Sequence, residues 1–315
     1  MRILMLLATS GCGLGWIGGE DDRTAGLPTS GAGPYQRLES DDTTPALEPR
    51  FLNDNRANLS DPSMLAGGAG LRVWFTKSTT DPVTSEIQYT EAGSAREMPS
   101  VGPMRVLAAS ETWEEGVVSS PSVTGDPAGG LVMFYEGSAS APSIGRATSS
   151  DGLTWAKHPD PVLLGATAPS VVFVAGETWM FVTRPNEVGI WRAVDRGSGF
   201  QLDLAPVILP RPDEAKAFDL LTVSEPFALA VPTLEQDVTR VHLWFTGTTD
   251  DPTSSAIGYA ATFDGLAWLR FGGLEPMLSA DASAPTVILE ASGGLMLFEG
   301  AAAGGTRVTV DAAEL

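Results

Sequence analysis

Residues 74–89 read WFTKSTTDPVTSEIQY, and residues 244–259 read WFTGTTDDPTSSAIGY. The two stretches align without a gap although they lie about half of the chain apart. Each joins an aromatic run to a second apolar run through a turn that contains Asp-Pro. A match of this kind indicates an internal repeat, and it predicts a fold that is built from copies of one β unit.

The repeat has a marker, which is a proline at the head of a short apolar run. The marker occurs at spacings of 48 to 59 residues, in Asp61-Pro62, Ser120-Pro121, Ala168-Pro169, Glu225-Pro226 and Ala284-Pro285. An aromatic strand and a third strand follow each marker. One such unit cannot bury both of its faces alone, so five units predict an all-β, five-bladed β-propeller of four-stranded antiparallel blades. An irregular β-sandwich does not predict five recurrences of the same order.

The ends of the chain define the predicted domains. Residues 1–12 have the character of an export signal, residues 13–50 form a Gly-, Ser- and Pro-rich flexible linker, and residues 51–315 form the propeller. The fifth unit stops after its third strand. Because a propeller must close its ring, we expect residues around 45–57 to supply the missing outer strand.

The net charge of the chain limits which classes of molecule are expected to bind it. Thirty-nine acidic and nineteen basic residues give a net charge of −20, which repels nucleic acid. We expect a monomer. No cofactor is expected, because no P-loop or dinucleotide fingerprint occurs. His158 and His242 lie in different units, so no metal site is expected.

The first twelve residues, MRILMLLATSGC, carry one positive charge, a short apolar core and small residues before Cys12. This stretch resembles the bacterial lipoprotein signal. The resemblance implies lipidation of Cys12 and a lipid-anchored protein of the bacterial cell envelope. A plain secreted start or a misassigned first methionine are the alternatives.

Three phrases carry a resemblance to a family, namely TWEEGVVSSPSV (112–123), FYEGS (134–138) and IGRATSSDGLTWAKHPDPVL (144–163). They resemble the five-bladed propeller glycosidases of the arabinanase, levansucrase and invertase group, including glycoside hydrolase family 43. The similarity covers roughly residues 58–310. It implies a carbohydrate ligand, with Asp61 at the position of the general base and Glu225 at that of the general acid. Ala168 stands where the family has a third acidic residue.

The implied chemistry is inverting hydrolysis of a neutral polysaccharide, in which one carboxyl protonates the leaving oxygen and the other activates water. Glu136 and Glu299 are candidates to supply the charge that Ala168 lacks, provided that they face the same funnel. Trp113 is the candidate for stacking on sugar at the rim of the funnel, and Trp74, Trp179 and Trp244 are expected in the core. DGLTW (151–155) is expected to be a structural turn.

Alternatives to catalysis stay open at this point. An acidic residue before proline also caps turns, so Asp61 and Glu225 are compatible with a structural role. The sequence therefore predicts a glycoside hydrolase-like surface lipoprotein, with a non-catalytic carbohydrate-binding or structural propeller as the alternative. A protein-interaction platform has no support beyond the fold.

Overall fold

Each unit of the repeat folds into one antiparallel sheet, and the five sheets form the predicted five-bladed propeller. The computed structural model describes residues 33–38, 51–52, 54, 56–68, 70–80, 83–95, 99, 101–138, 140–233, 238–251, 254–278, 281–290, 293–301 and 308–314. In that part of the chain the helical content is one 3-10 turn, Thr112–Glu114.

The strands follow the chain order blade by blade, apart from strand β1 (Gln36–Arg37), which belongs to the last blade. Blade one contains β2 (Asn58–Gly67), β3 (Gly70–Thr80), β4 (Val83–Ala92) and β5 (Val101–Ala108). Blade two contains β6 (Val118–Gly125), β7 (Leu131–Gly137), β8 (Ser143–Ser149) and the two short strands β9 (Ala156–Lys157) and β10 (Leu163–Leu164), both paired with β8. Blade three contains β11 (Thr167–Val174), β12 (Glu177–Thr183), β13 (Ile190–Asp195) and β14 (Phe200–Leu202).

The last two blades complete the ring. Blade four contains β15 (Thr222–Pro232), β16 (Thr239–Thr248), β17 (Ser255–Thr262) and β18 (Leu269–Arg270). Blade five contains β19 (Ala282–Glu290), β20 (Gly293–Ala301) and β21 (Val308–Glu314), and its outer strand is β1. The first strand of each blade in this order is the innermost one.

The central residues of the aromatic strands are mostly apolar because both faces of these strands are buried between blades. Successive residues of a strand point to opposite faces of its sheet. In β3, Phe75 therefore packs in the core shared with blade five, while Trp74 packs in the core shared with blade two. Five interblade clusters of this kind make up the hydrophobic core. The prediction that Trp74, Trp179 and Trp244 are core residues is confirmed.

The DGLTW turn connects blade two to blade one. Gly152 has a φ of +81°, and its carbonyl accepts a hydrogen bond of 2.9 Å from Trp74 Nε1. Trp155 packs edge-on against Trp74 with ring centroids 6.3 Å apart. The predicted structural role of this turn is confirmed.

An N-terminal strand closes the ring, but not at the predicted place. Strand β1 pairs with β21 through Gln36↔Glu314 and Arg37↔Ala313, and Leu52 adds a single bridge to Val310. The closing strand thus lies before residues 45–57, inside the segment that we predicted to be linker. It is two exposed polar residues long, so it has no hydrophobic pattern that the sequence could display.

Candidate functional site

The residue before each marker proline adopts a conformation that is unusual for a residue with a side chain. Its φ lies between +45° and +49° in Asp61, Ser120, Ala168, Glu225 and Ala284. The pairing between the two inner strands shifts register at the same point in every blade. Each innermost strand therefore has a bulge at its X-Pro, and we call the five residues before proline the inner ring. Left-handed backbone costs a residue with a Cβ about 1–2 kcal/mol.

A second set of five side chains holds the inner ring in place, and we call it the acceptor ring. Its members occupy equivalent positions on the second strands: Thr76, Glu136, Thr183, Thr246 and Glu299. Each accepts a hydrogen bond from the backbone N–H of the inner-ring residue in the next blade. The five donor–acceptor distances are 2.8 Å to Thr76, 3.2 Å to Glu136, 3.2 Å to Thr183, 3.0 Å to Thr246 and 2.8 Å to Glu299. The blades are thus linked head to tail around the axis.

The inner ring brings Asp61 and Glu225 to one cavity on the axis. The same cavity is lined by Ser120, Ala168 and Ala284 and by the five marker prolines. Asp61 Oδ2 accepts a hydrogen bond of 2.9 Å from Ser60, and Glu225 Oε2 accepts one of 2.7 Å from Thr246. The two carboxyl groups come from chain segments that are 164 residues apart in the sequence.

Glu136 and Glu299 lie beside this centre, because both belong to the acceptor ring, but neither is among the residues that line the axial cavity. Glu136 Oε2 binds the backbone N–H of Ala168, so a carboxyl group lies directly beside the position where the resembling family has its third acid. Glu299 binds the N–H of Asp61. Glu136 is therefore the candidate replacement beside Ala168, and Glu299 is the one beside Asp61.

The four carboxyl groups share a raised affinity for protons. Burial raises the pKa of Asp61, Glu225 and Glu299 above the usual range, and it raises the pKa of Glu136 to about 7. The charge of Asp61 is a further cause of the raised pKa in each of the other three. Among the described residues that line the axial cavity there is no Lys, Arg or His to offset these charges.

Trp113 lies in the 3-10 turn at the entry to blade two and not among the residues that line the axial cavity. Its ring stacks on Tyr135 with centroids 6.1 Å apart, and its Nε1 donates to the carbonyl of Pro159. A Cβ on Gly137 would lie 2.5 Å from the indole, so the glycine makes room for it. These contacts are structural, and they leave Trp113 half-buried.

Glu114, the next residue, is a buried carboxylate that the sequence did not single out. It accepts hydrogen bonds from Lys157 at 2.6 Å and from Tyr135 at 2.7 Å. Although burial acts to raise it, the net pKa of Glu114 is lowered, because Lys157 and two backbone N–H groups stabilise the anion. An ion pair of this kind is expected to hold the entry to blade two rather than to transfer protons.

A ring of hydroxyl groups just past the prolines was also missed. Ser63, Ser122 and Ser170 accept hydrogen bonds of 2.7–3.2 Å from backbone N–H groups of the next blade, and Thr286 does the same at 3.2 Å. Phe227 takes this position in blade four. The signal is visible in the sequence, because Ser or Thr follows the marker proline in four units of five.

The two histidines lie apart. His242 is buried and stacked on Trp244, its Nδ1 lies 2.7 Å from Tyr259 Oη, and burial lowers its pKa to about 3. His158 is exposed at the outer edge of blade two. Within the described ranges, no group of three or more His, Cys, Asp or Glu side chains is arranged to hold a metal ion.

The predicted lipidation site lies outside the described residues, so the structure places no contact on Cys12. Helices in the described part of the chain include none with the length and apolar character that crossing a membrane requires.

Comparison with known proteins connects this geometry to glycoside hydrolases through the fold. No family model matches the sequence, and no curated protein matches it. Solved structures do match. A glycosyl hydrolase from Bacteroides ovatus has a TM-score of 0.66 at 16% identity, over 92% of this chain and 96% of its own. The chain has the five-bladed propeller fold of such enzymes.

Two further structures extend the match to named families. One comes from the GH130 family of mannoside phosphorylases, which contains glycoside hydrolases that target β-1,2 mannosidic linkages in Candida mannan; its TM-score is 0.67 at 14% identity, over 91% of this chain and 95% of its own. The other is a thermostable family-43 glycoside hydrolase with a TM-score of 0.58 at 13% identity, over 84% of this chain and 91% of its own. The structural resemblance to propeller glycosidases is confirmed, and at these identities it concerns the fold.

Proposed function

We propose that this protein is a glycoside hydrolase whose acid and base are Glu225 and Asp61. One observation carries the proposal. Ala168 and Ala284 adopt the same inner-ring conformation as the two acids, with φ of +48° and +45°, and keep the same backbone hydrogen bond. The bulge therefore does not need a carboxylate. The side chains of Asp61 and Glu225 are therefore not required for the bulge itself, although the Glu225 carboxyl also accepts a hydrogen bond of 3.1 Å from the N–H of Ala284.

The roles follow from the hydrogen bonds and charges around each group. Asp61 receives hydrogen bonds from the hydroxyls of Ser60, Thr76 and Ser120, which stabilise its anion and so lower a pKa that burial raises. Burial and then the charge of Asp61 raise the pKa of Glu225. We assign Asp61 as the base and Glu225 as the acid, because burial raises the pKa of both and the charge of Asp61 further favours the protonated form of Glu225.

In the proposed reaction a water molecule gives a proton to Asp61 while its oxygen attacks the anomeric carbon. The bond between that carbon and the glycosidic oxygen breaks, and Glu225 protonates the leaving oxygen. Attack from the opposite face inverts the configuration. Glu136 takes the part of the third acid, because its carboxyl lies beside Ala168 and near the acid and base charges. A neutral polysaccharide is the proposed substrate class.

The test is release of sugar from a panel of neutral polysaccharides, measured as new reducing ends. We expect wild type to release sugar, and Glu225→Gln and Asp61→Asn each to lower the rate by about 10²–10⁴-fold. Glu275→Gln, an exposed acid away from the axis, is the matched control and keeps the wild-type rate. Equal rates for wild type and Glu225→Gln would show that the acid is assigned wrongly.

A second candidate function is a propeller that binds glycan without cleaving it. The specific observation in its favour is Ala168, which stands at the position where the resembling family has its third acidic residue. Binding of a polysaccharide with no release of reducing ends over long incubation favours this candidate.

We further propose that the protein is an exported lipoprotein anchored through Cys12. The support is the MRILMLLATSGC sequence at the N-terminus. In a bacterial host, labelled palmitate should enter the wild-type protein and not Cys12→Ala. Equal labelling of both would contradict the anchor.

A further inference from the structure

A second cavity lies between blades two and three and shares no lining residue with the axial cavity. This interblade crevice has a volume of about 550 Å³, within the range of ligand pockets. Its apolar surface includes Phe134, Phe173 and Phe200, and its polar groups include Arg146, Asp126 and Asp195.

The space between blades three and four shows what normally fills such a crevice. There the turn 264–268 of blade four, DGLAW, packs against blade three. Trp268 lies edge-on to Phe181 at 5.5 Å, and Arg192 stacks on Trp179 at 4.6 Å while donating to the carbonyl of Asp264. The DGLTW turn of blade two fills the space next to blade one in the same way, through Trp74 and Trp155.

The interblade crevice is open because it lacks both a tryptophan in the turn and a tryptophan on the facing strand. Register makes Arg146 the counterpart of Arg192, since they pair with Phe134 and Phe181, and Val132 the counterpart of Trp179. In blade three, four residues (196–199) separate β13 from β14, against six (263–268) between β17 and β18, and none of the four is a tryptophan. Asp195 Oδ1 closes that turn by accepting hydrogen bonds from Gly197 and Gly199.

The chemistry of the lining indicates what the crevice binds. Two carboxylates, Asp126 and Asp195, line the crevice together with one guanidinium, Arg146, and the His158 ring, so hydrogen-bond donors and acceptors are both present. Arg146 is 40% exposed and lies 3.4 Å from Asp126, which fixes its direction. Half-buried Phe173 and Phe200 supply flat apolar surface. Hydroxyl groups around an apolar ring face match this set.

We propose that the interblade crevice is a second, non-catalytic binding site for a neutral sugar unit. Arg146 donates to sugar oxygens, the two carboxylates accept from sugar hydroxyls, and the phenylalanines stack on the ring. The site holds a polysaccharide chain independently of the axial cavity. It does not require that Asp61 and Glu225 catalyse hydrolysis.

The experiment uses the full chain carrying Asp61→Asn and Glu225→Gln, which silences the axial site. Binding of mannobiose, xylobiose and arabinobiose is measured by saturation-transfer NMR and titration. We expect at least one disaccharide to bind, and Thr178→Trp, which fills the crevice, and Arg146→Met, which removes the donor, each to weaken binding at least tenfold. Arg105→Met, a surface arginine on blade one, is the control and binds as the parent does. Thermal unfolding verifies that each variant is folded.

Three outcomes overturn the proposal. They are no binding of any disaccharide, binding that Thr178→Trp and Arg146→Met leave unchanged, and binding only of a peptide with the sequence FDGLAWL, which would assign the crevice to a protein segment. If wild type hydrolyses no polysaccharide while the crevice still binds sugar, the result would count against the axial site alone. Hydrolysis without crevice binding would count against this inference alone.

Discussion

Five residues with the same backbone conformation carry different side chains at the centre of this protein. The conformation is unfavourable for any residue with a Cβ, and it persists because the acceptor ring binds the backbone N–H of each one. The unfavourable conformation therefore belongs to the backbone of the bulge, while the side chain determines which chemical groups face the axis. This separation allows carboxylates at two positions and alanine at two others without a change of fold.

The Glu136 carboxyl, beside the axial site, should make the stability of the fold depend on pH. Its pKa of about 7 in the folded protein exceeds the ordinary value, so the native state binds this proton more tightly than the unfolded state does. The stabilisation is complete below the ordinary pKa, near 4.5, and is lost as the pH rises through about 7. Glu136→Gln removes this pH-dependent stabilisation while keeping a hydrogen-bond acceptor for the N–H of Ala168.

We expect the melting temperature of Glu136→Gln, relative to wild type, to increase by a few degrees between pH 4.5 and pH 7.5. Differential scanning calorimetry across that range measures it. Glu275→Gln serves as the control and should follow the wild-type curve. Parallel curves for Glu136→Gln and wild type would mean that the Glu136 carboxyl is not desolvated in solution.

At the scale of the element, the DGLTW turn places a glycine where two side chains of blade one converge. A Cβ at residue 152 would lie 2.7 Å from the Trp74 ring and would meet the Arg72 guanidinium, at a φ of +81°. Gly129 has a φ of +105° with open space around its Cα. The pair separates the cost of positive φ from the cost of the interblade clash.

Gly129→Ala should lower the free energy of unfolding by about 1 kcal/mol. Gly152→Ala should lower it by about 2–4 kcal/mol, because the turn must also move away from blade one. Urea titration followed by tryptophan fluorescence gives both values. If the two variants lose equal stability, blade one and the turn are not in contact in solution.

The repeat made the blades predictable from the sequence because the second strand of every blade carries aromatic residues that burial explains. It made Asp61 and Glu225 predictable as neighbours because both precede a marker proline. The acceptor ring was harder to predict from the sequence, because three of its members, Thr76, Thr183 and Thr246, are threonines and threonine occurs throughout the chain. Their role depends on a bulge, and a register shift between paired strands leaves no periodic signal.

The closing strand and the interblade crevice were not predictable for related reasons. Gln36 and Arg37 are exposed, so their pairing with β21 rests on backbone hydrogen bonds that carry no side-chain pattern. The crevice exists because the turn at 195–200 of blade three has no tryptophan. This difference becomes visible only when the structure is compared with the spaces that a tryptophan turn fills. Sequence thus identifies what a repeat unit buries, and structure is needed to find where the repeat is broken.

At the scale of the whole molecule, the site depends on closure of the ring. The contact between Glu299 and the N–H of Asp61 joins the last blade to the first, so Asp61 is positioned by the two ends of the repeat. The N-terminal segment strengthens that closure. Tyr35 is only 4% exposed and packs in the core of blades four and five beside Trp244, and its N–H donates to the carbonyl of Met277.

Tyr35→Ala should therefore destabilise the whole propeller and not only its edge. Loss of a buried aromatic side chain costs about 3–5 kcal/mol, and the cavity would lie in the core between blades four and five, next to the β1 strand that completes blade five. Gln36→Ala, at the exposed neighbouring position, is the matched control and should cost less than about 0.5 kcal/mol. Chemical denaturation monitored by fluorescence and by circular dichroism should show one coincident transition, shifted to lower urea for Tyr35→Ala. A separate early transition confined to that variant would instead mean that the N-terminal segment detaches while the five blades stay closed without it.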